Sequence, residues 1–250
     1  MSKDTRELYN DTAARWARRE PNSLSDFTAR PRVFALCGDV SGARILDLGA
    51  GEGYCAREMM LRGAASVVGI ELSEQMVELA RSQQDAGGGI DYRVGDVTAL
   101  DVPAQSFDLA LGVFVYNYLT VEQTRESFKQ VYQALKPGGS FVFSVPHPAF
   151  PFIKRELTPP FYFDMQEGGY FSGRNRQCQG EIFCRDGTSL SVQMIPKTFA
   201  DYFDALADAG FAQLPVLEEL HVTDEMLEID AAFFSPLVDL PLHLAFRLVK

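Results

Sequence analysis

The stretch that decides the fold lies in the first quarter of the chain and reads Ile45-Leu46-Asp47-Leu48-Gly49-Ala50-Gly51-Glu52-Gly53. The apolar run before the glycines is typical of a buried strand, and residues 54–62 have a helical pattern. Glycines at a strand-to-helix turn permit unusual backbone dihedrals and let a ligand approach the main chain closely. The stretch therefore predicts a ligand-binding loop at the end of the first strand of an α/β sheet.

Short β-branched apolar runs alternate with helical patterns after this loop, as is typical of a parallel α/β sheet. We predict five strands here, at residues 44–48, 66–70, 90–94, 107–114 and 141–145. The helices between them have start signals, because Ser73 can cap one and Thr120 forms a capping box with Gln123 in another. Two edge strands at residues 216–222 and 242–249 then complete the sheet.

We interpret residues 1–250 as a single domain with four parts. These are two helices forming an N-terminal cap (1–40), a ligand-binding core (41–146), an insertion (147–197), and a C-terminal helix with edge strands (198–250). The insertion is long for a loop in a compact domain, and it contains a hairpin signal at Asp186-Gly187. Its dense aromatic residues predict a lid over a substrate.

Composition excludes several functional classes. Lys and Arg number 23 against 34 Asp and Glu, which gives a net charge of −11. This charge disfavours nucleic acid and anionic membrane surfaces as partners. The four cysteines lack CxxC spacing and paired histidine ligands, so we expect reduced thiols and no metal site. The N-terminus lacks the apolar core of a signal peptide, and we expect a cytoplasmic protein.

The glycine loop discriminates between ligands. A dinucleotide fingerprint requires a third glycine where this chain has Tyr54, and no Lys-Ser/Thr pair follows the glycines as in a nucleotide triphosphate loop. A carboxylate at Asp47 suits an ammonium or sulfonium better than a pyrophosphate. Glu71 and Asp96 follow the second and third strands, where they can accept hydrogen bonds from a ribose and an adenine amino group. Together these residues describe an adenosine without phosphates and with a cationic tail.

The chain resembles the class I S-adenosylmethionine-dependent methyltransferases, in particular the small-molecule group. The resemblance rests on residues 46–53, 69–71, 95–97, 107–109 and 135–139, with a further N-terminal element at 9–16. It implies a Rossmann-like seven-stranded sheet in the order 3-2-1-4-5-7-6, with the last strand antiparallel and helices on both faces. It also implies S-adenosylmethionine as cofactor and S-adenosylhomocysteine as product.

The resemblance and the residue patterns together nominate the site. The expected cofactor-binding residues are Asp47, Gly49, Ala50, Gly51, Gly53, Glu71, Leu72, Met76, Gly95, Asp96, Val97, Gly112 and Val113. The expected acceptor-binding residues are Tyr9, Trp16, Tyr116, Asn117 and His147, and the expected catalytic residues are His147 and Tyr118.

The histidines have different expected roles. His147 follows the fifth strand between two prolines, and it is either a general base or a structural residue of its loop. His221 and His243 fall in the edge strands, away from the expected crevice, and are expected to be structural.

The expected function is transfer of a methyl group to nitrogen or oxygen of a small aromatic or heterocyclic metabolite. A base is needed only if the acceptor atom must lose a proton. A peptide acceptor and a non-catalytic S-adenosylmethionine-binding protein are the alternatives. The sequence leaves open whether the protein is a monomer or a homodimer.

Overall fold

The computed structural model describes residues 5–16, 21–84, 88–153 and 160–250. The helices are α1 (Thr5–Trp16), α2 (Leu24–Thr28), α3 (Arg30–Cys37), α4 (Tyr54–Leu61), α5 (Glu74–Ser82), α6 (Val121–Ala134), α7 (Phe199–Ala209) and α8 (Asp224–Phe234). The strands are β1 (Arg44–Leu48), β2 (Ser66–Glu71), β3 (Ile90–Val94), β4 (Phe107–Val113), β5 (Leu135–Pro146), β6 (Phe161–Asp164), β7 (Cys178–Phe183), β8 (Ser189–Met194), β9 (Val216–Leu220) and β10 (His243–Val249). No helix within these ranges is both long and apolar enough to cross a membrane.

Seven strands form one sheet in the order β3-β2-β1-β4-β5-β10-β9. The neighbours from β3 to β5 pair in parallel, whereas β10 is antiparallel to both β5 and β9. The central strands are buried almost throughout, as expected when helices cover both faces of a parallel sheet. The predicted α/β class and Rossmann-like sheet are confirmed.

The insertion forms a second sheet with the order β6-β7-β8, and both pairings are antiparallel. The hairpin of β7 and β8 was predicted from its turn, but β6 was not. An isolated bridge between Ser23 and Cys184 joins the N-terminal segment to this smaller sheet. The backbone N–H of Arg185 also donates to the carbonyl of Asn22 at 3.0 Å. The smaller sheet is therefore attached to the segment that precedes α2.

Besides shifts of one or two residues at several strand ends, the structure differs from the sequence-based prediction in three larger ways. The described part of residues 1–40 contains three helices instead of two, because the chain turns at Ala29 and a new helix starts with Pro31 in its first turn. β5 begins at Leu135, six residues earlier than predicted. α8 lies between the two edge strands and was missed, and Asp230 has non-helical dihedrals within it.

The core on one face of the large sheet is aromatic. Tyr116, Phe128, Phe141 and Phe143 are fully buried, and their ring centroids lie 4.8–5.9 Å apart. Helix α6 contributes Phe128 to this cluster. The first turn of α6 carries a capping box.

Thr120 caps that turn, and its loss should destabilise the protein. Its Oγ1 accepts a hydrogen bond from the N–H of Gln123 at 3.1 Å, and its N–H donates to Gln123 Oε1 at 2.9 Å. We expect Thr120→Ala to lower the free energy of unfolding in urea by about 1 kcal/mol. Thr120→Ser keeps the hydroxyl and should retain most of the stability. Equal stability of the alanine variant and the wild type would contradict this role.

Candidate active site

A cavity lies at the carboxyl ends of β1 to β4, where open α/β sheets bind ligands. It encloses about 1310 Å³ of empty space, including the open solvent at its mouth. Its walls come from the glycine loop, the ends of β2 to β4, helix α1 and the smaller sheet.

Backbone hydrogen bonds fix the glycine loop against β2. The N–H groups of Gly49 and Ala50 both donate to the carbonyl oxygen of Ile70, at 2.8 and 3.0 Å. Gly49 has a φ of +68°, and an added Cβ would lie 2.8 Å from the Cβ of Val115. A side chain at this position would therefore be both strained and crowded. The loop requires glycine for its conformation and for its contact with the segment after β4.

Asp47 is the most unusual charged group of the cavity. Its side chain is 1% exposed, and its Oδ2 has no hydrogen-bond partner among the described residues. Burial raises the pKa of Asp47 to about 7, and the nearby Glu71 carboxylate contributes to this rise. A buried carboxylate with an unpaired oxygen is unfavourable until a cation or a donor reaches it. The site thus fits the ammonium group of S-adenosylmethionine.

Two further carboxylates line the same cavity. Glu71 accepts hydrogen bonds from the N–H groups of Gly51 and Ser73, both at 2.9 Å. Asp96 accepts from the N–H and the hydroxyl of Thr98 through Oδ1, both at 2.8 Å. Because a carboxylate has about four lone-pair sites, both residues can accept further hydrogen bonds from a nucleoside. The residues present fit an adenosine that carries a cationic tail.

Helix α1 covers the mouth of the cavity. The hydroxyl of Tyr9 donates to that of Tyr118 at 2.6 Å, and Ser73 Oγ donates to Asn10 Oδ1 at 2.6 Å. The Tyr9 ring also packs on that of Trp16, with centroids 5.5 Å apart. Burial raises the pKa of Tyr118 to about 12, so its hydroxyl stays protonated at neutral pH. Tyr9, Trp16, Asn117 and Tyr118 all line the cavity, where the sequence predicted them.

The wall opposite the glycine loop is apolar. It consists of Phe114, which follows β4, together with Phe161, Phe163, Ile182 and Val192 from the smaller sheet. The carbonyl of Asn117 accepts a hydrogen bond from the N–H of Ile195 at 2.7 Å, which holds this sheet against the end of β4. The described part of the insertion therefore contains a folded sheet whose apolar side chains line the cavity, and its role as a lid stays a prediction.

Arg30 also lines the cavity, although the sequence did not predict it there. Its Nη1 donates to Ser25 Oγ at 2.7 Å and to Asp26 Oδ1 at 2.5 Å, while its Nε has no partner among the described residues. No motif surrounds this arginine, so only the placement of α2 and α3 over the sheet reveals it. It gives the cavity a cationic group that can bind a carboxylate.

Most of the predicted cofactor-binding residues line the cavity, namely Asp47, Gly49, Ala50, Gly51, Glu71, Leu72, Met76, Gly95, Asp96, Val97 and Val113. Gly53 and Gly112 do not. The carbonyl of Gly53 accepts a hydrogen bond from the Tyr92 hydroxyl at 3.2 Å. Gly112 leaves space for the Tyr116 ring, since an added Cβ would lie 2.9 Å from it. Both glycines therefore pack against tyrosine side chains next to the cavity.

Tyr116 is not part of the acceptor wall. The short 3₁₀ turn Tyr116–Tyr118 directs its first residue into the aromatic core and leaves Asn117 and Tyr118 on the cavity. Tyr116 is fully buried, and its ring lies 4.8 Å from that of Phe128. The sequence showed three polar or aromatic residues after β4, but not which of them turns inward.

His147 and His243 lie opposite to expectation with respect to the cavity. His147 is buried but does not line the cavity; its Nε2 lies 3.0 Å from Glu219 Oε1, and its Nδ1 accepts the N–H of Ala149 at 3.1 Å. With both ring nitrogens engaged, the geometry favours the structural alternative over a general base. His243 was expected to lie away from the crevice, yet it forms part of the cavity wall.

Comparisons with known proteins agree with this geometry. Residues 45–139 match the family model described as a methyltransferase domain. A structure of an S-adenosylmethionine-dependent methyltransferase from Mesorhizobium loti superposes with a TM-score of 0.68 at 28% sequence identity, covering 88% of this chain and 96% of that one.

The alignments with curated relatives cover less of this chain than the superposed structure does. A demethylmenaquinone methyltransferase from Lactococcus lactis is 31% identical over 135 residues, which are 50% of this chain and 51% of that protein. A phosphoethanolamine N-methyltransferase from Zea mays is 28% identical over 174 residues, which are 68% of this chain and 33% of that protein. The chain thus spans about half of the first relative and a third of the second.

The raised pKa of Asp47 predicts a pH-dependent cofactor affinity. Below about pH 7 the carboxyl group holds a proton that a cationic ligand must displace, whereas above this pH it is already ionised. We expect the affinity for S-adenosylhomocysteine, which retains the ammonium group, to fall by up to about tenfold per pH unit below this pKa and to level off above it. Calorimetric titrations between about pH 5 and pH 8.5 measure this dependence.

Substitutions test whether the pH dependence of binding comes from Asp47 and not from another carboxylate of the cavity. Asp47→Asn should weaken binding at about pH 8 and abolish the pH dependence, and it should raise the thermal midpoint of the ligand-free protein because a buried charge is removed. Asp96→Asn is the matched control, since Asp96 is exposed and its substitution should leave the pH dependence in place. A pH profile unaltered by Asp47→Asn would refute the assignment.

Proposed function

Because residues 45–139 belong to the class I S-adenosylmethionine-dependent methyltransferases, we propose that this protein transfers the methyl group of its cofactor to nitrogen or oxygen of a small aromatic or heterocyclic molecule. The observation that carries the proposal is the continuity of one cavity. It runs from the carboxylates on the side of the glycine loop to the apolar wall of the smaller sheet.

The proposed roles of the cofactor-side residues follow from their chemistry. Asp47 faces the ammonium group, Glu71 holds the ribose hydroxyls, and Asp96 accepts from the adenine amino group. Arg30 is within the same cavity and suits the carboxylate of the methionine portion. When bound, S-adenosylmethionine supplies an electrophilic methyl group on its sulfonium.

The acceptor-side residues position the second substrate and exclude water. In-line displacement at a methyl group depends mainly on alignment of the reactants and on desolvation. Phe114, Phe161 and Phe163 offer flat apolar surfaces for an aromatic ring. Tyr9 and Tyr118 close the cavity from the side of α1. For a nitrogen acceptor we assign no general base, since a neutral amine or heteroaromatic nitrogen needs none.

Methyl transfer is tested directly with S-adenosylmethionine labelled in its methyl group. Parallel incubations contain pooled aromatic and heterocyclic metabolites, pooled peptides, or no acceptor. We expect label in organic-extractable small molecules only. Label in the peptide fraction would show that the acceptor is a peptide and not a small metabolite. Cofactor binding without transfer to any pool would favour a non-catalytic binding protein.

The bond between Tyr9 and Tyr118 predicts a measurable contribution to cofactor retention. Tyr9→Phe and Tyr118→Phe each keep the ring and remove one of the two hydroxyls, so that the hydrogen bond is lost. Each variant should therefore raise the Kd for S-adenosylhomocysteine about three- to tenfold. The double variant should lose less than the sum of the two single losses, because both substitutions delete the same hydrogen bond. Fully additive losses, or none, would show that this bond does not hold α1 over the cofactor.

A further inference from the structure

The last strand of the large sheet brings a histidine into the cavity. His243 opens β10, where it pairs with Pro146 of β5 on one side and with Leu220 of β9 on the other. Its side chain is 2% exposed, and it contributes to the cavity wall. The cofactor contacts described above do not use this residue.

A threonine fixes the tautomer of this ring. Thr28 Oγ1 lies 2.9 Å from His243 Nδ1 and 3.0 Å from the carbonyl oxygen of Leu24. We assign the hydroxyl proton to that carbonyl, so that the Thr28 oxygen accepts the N–H of Nδ1. The neutral ring therefore carries a lone pair on Nε2. This nitrogen has no hydrogen-bond partner within the described ranges of the chain.

The surroundings of the ring are aromatic. The centroid of Phe114 lies 4.8 Å from that of His243 with an interplanar angle of 65°, and the centroid of Phe161 lies 5.6 Å away. Phe163 and Ile182 line the same cavity. Within such apolar walls, a ligand donor that reaches the lone pair gains a desolvated hydrogen bond, whereas a ligand without one leaves a buried acceptor unpaired.

We propose that Nε2 of His243 accepts a hydrogen bond from the methyl acceptor and thereby selects molecules that carry an N–H or O–H group on a flat apolar framework. This inference rests on the proposed function and specifies the substrate class at the wall opposite the glycine loop. His243 acts as a specificity-determining residue that orients the acceptor.

The electrostatics of the site favour a hydrogen-bond acceptor over a general base. Burial lowers the pKa of His243 to about 3, and the nearby Arg30 and His147 contribute to this fall. A protonated ring would place a second cation beside the Arg30 guanidinium in a desolvated site. The imidazole therefore remains neutral, and its lone pair is available over the whole physiological pH range.

Two isosteric probes test this selection in place of the natural acceptor. 2-Naphthol and 2-methylnaphthalene differ by a hydroxyl in place of a methyl group. Their Kd values for protein saturated with S-adenosylhomocysteine are measured by ligand-observed NMR. We expect 2-naphthol to bind at least about tenfold more tightly to the wild type, and His243→Phe, which keeps a planar ring but no acceptor atom, to abolish this preference.

Control variants separate recognition from folding. Both His243→Phe and His243→Gln should bind S-adenosylhomocysteine as the wild type does, and the glutamine variant, whose carbonyl oxygen can accept, should restore part of the preference. His221→Phe, at an exposed histidine just after β9, should leave the preference unchanged.

Equal binding of both probes to the wild type, an undiminished preference in His243→Phe, or no binding of either probe would each overturn the inference. Failure of the wild type to bind S-adenosylhomocysteine would instead count against the proposed function, because that measurement does not involve His243.

Discussion

The site depends on one short set of backbone hydrogen bonds, those that tie the loop after β1 to the end of β2. Because Gly49 and Ala50 share the carbonyl of Ile70, the loop cannot move away from the adjacent strand. The N–H of Gly51 then reaches the Glu71 carboxylate. These contacts place Asp47 and Glu71 next to each other, and they define the floor of the cavity on which the other walls are assembled.

Two buried carboxylates beside each other are a cost to the ligand-free protein. Burial raises the pKa of both Asp47 and Glu71, which means that the fold disfavours their ionised forms. A ligand with a positive charge reverses this effect, since it stabilises the same carboxylates when ionised. The unfavourable electrostatics of the floor are thus the source of its preference for a cationic ligand. The two carboxylates lower the stability of the ligand-free protein and raise its affinity for such a ligand.

Local signals made the large sheet and its floor predictable from sequence. The glycine loop, the capping box at Thr120 and the acidic residues at the ends of β2 and β3 are each local signals, which act within a few residues of the chain. The acceptor wall has no such signal. Arg30 and His243 reach the cavity only because α2, α3 and β10 pack around it, and Tyr116 leaves it because a single 3₁₀ turn rotates its side chain inward. These placements depend on contacts between distant segments, which periodicity and spacing do not encode.

Among the described residues, the strands of the smaller sheet pair with one another, and this sheet lies outside residues 45–139, the part that matches the family model. Its side chains form much of the acceptor wall, while the cofactor floor belongs to the large sheet. The apolar side chains contributed by the smaller sheet and the carboxylates of the floor thus come from separate stretches of the chain. Replacements of apolar side chains in the smaller sheet can therefore reshape this part of the cavity wall while the carboxylates of the floor stay in place.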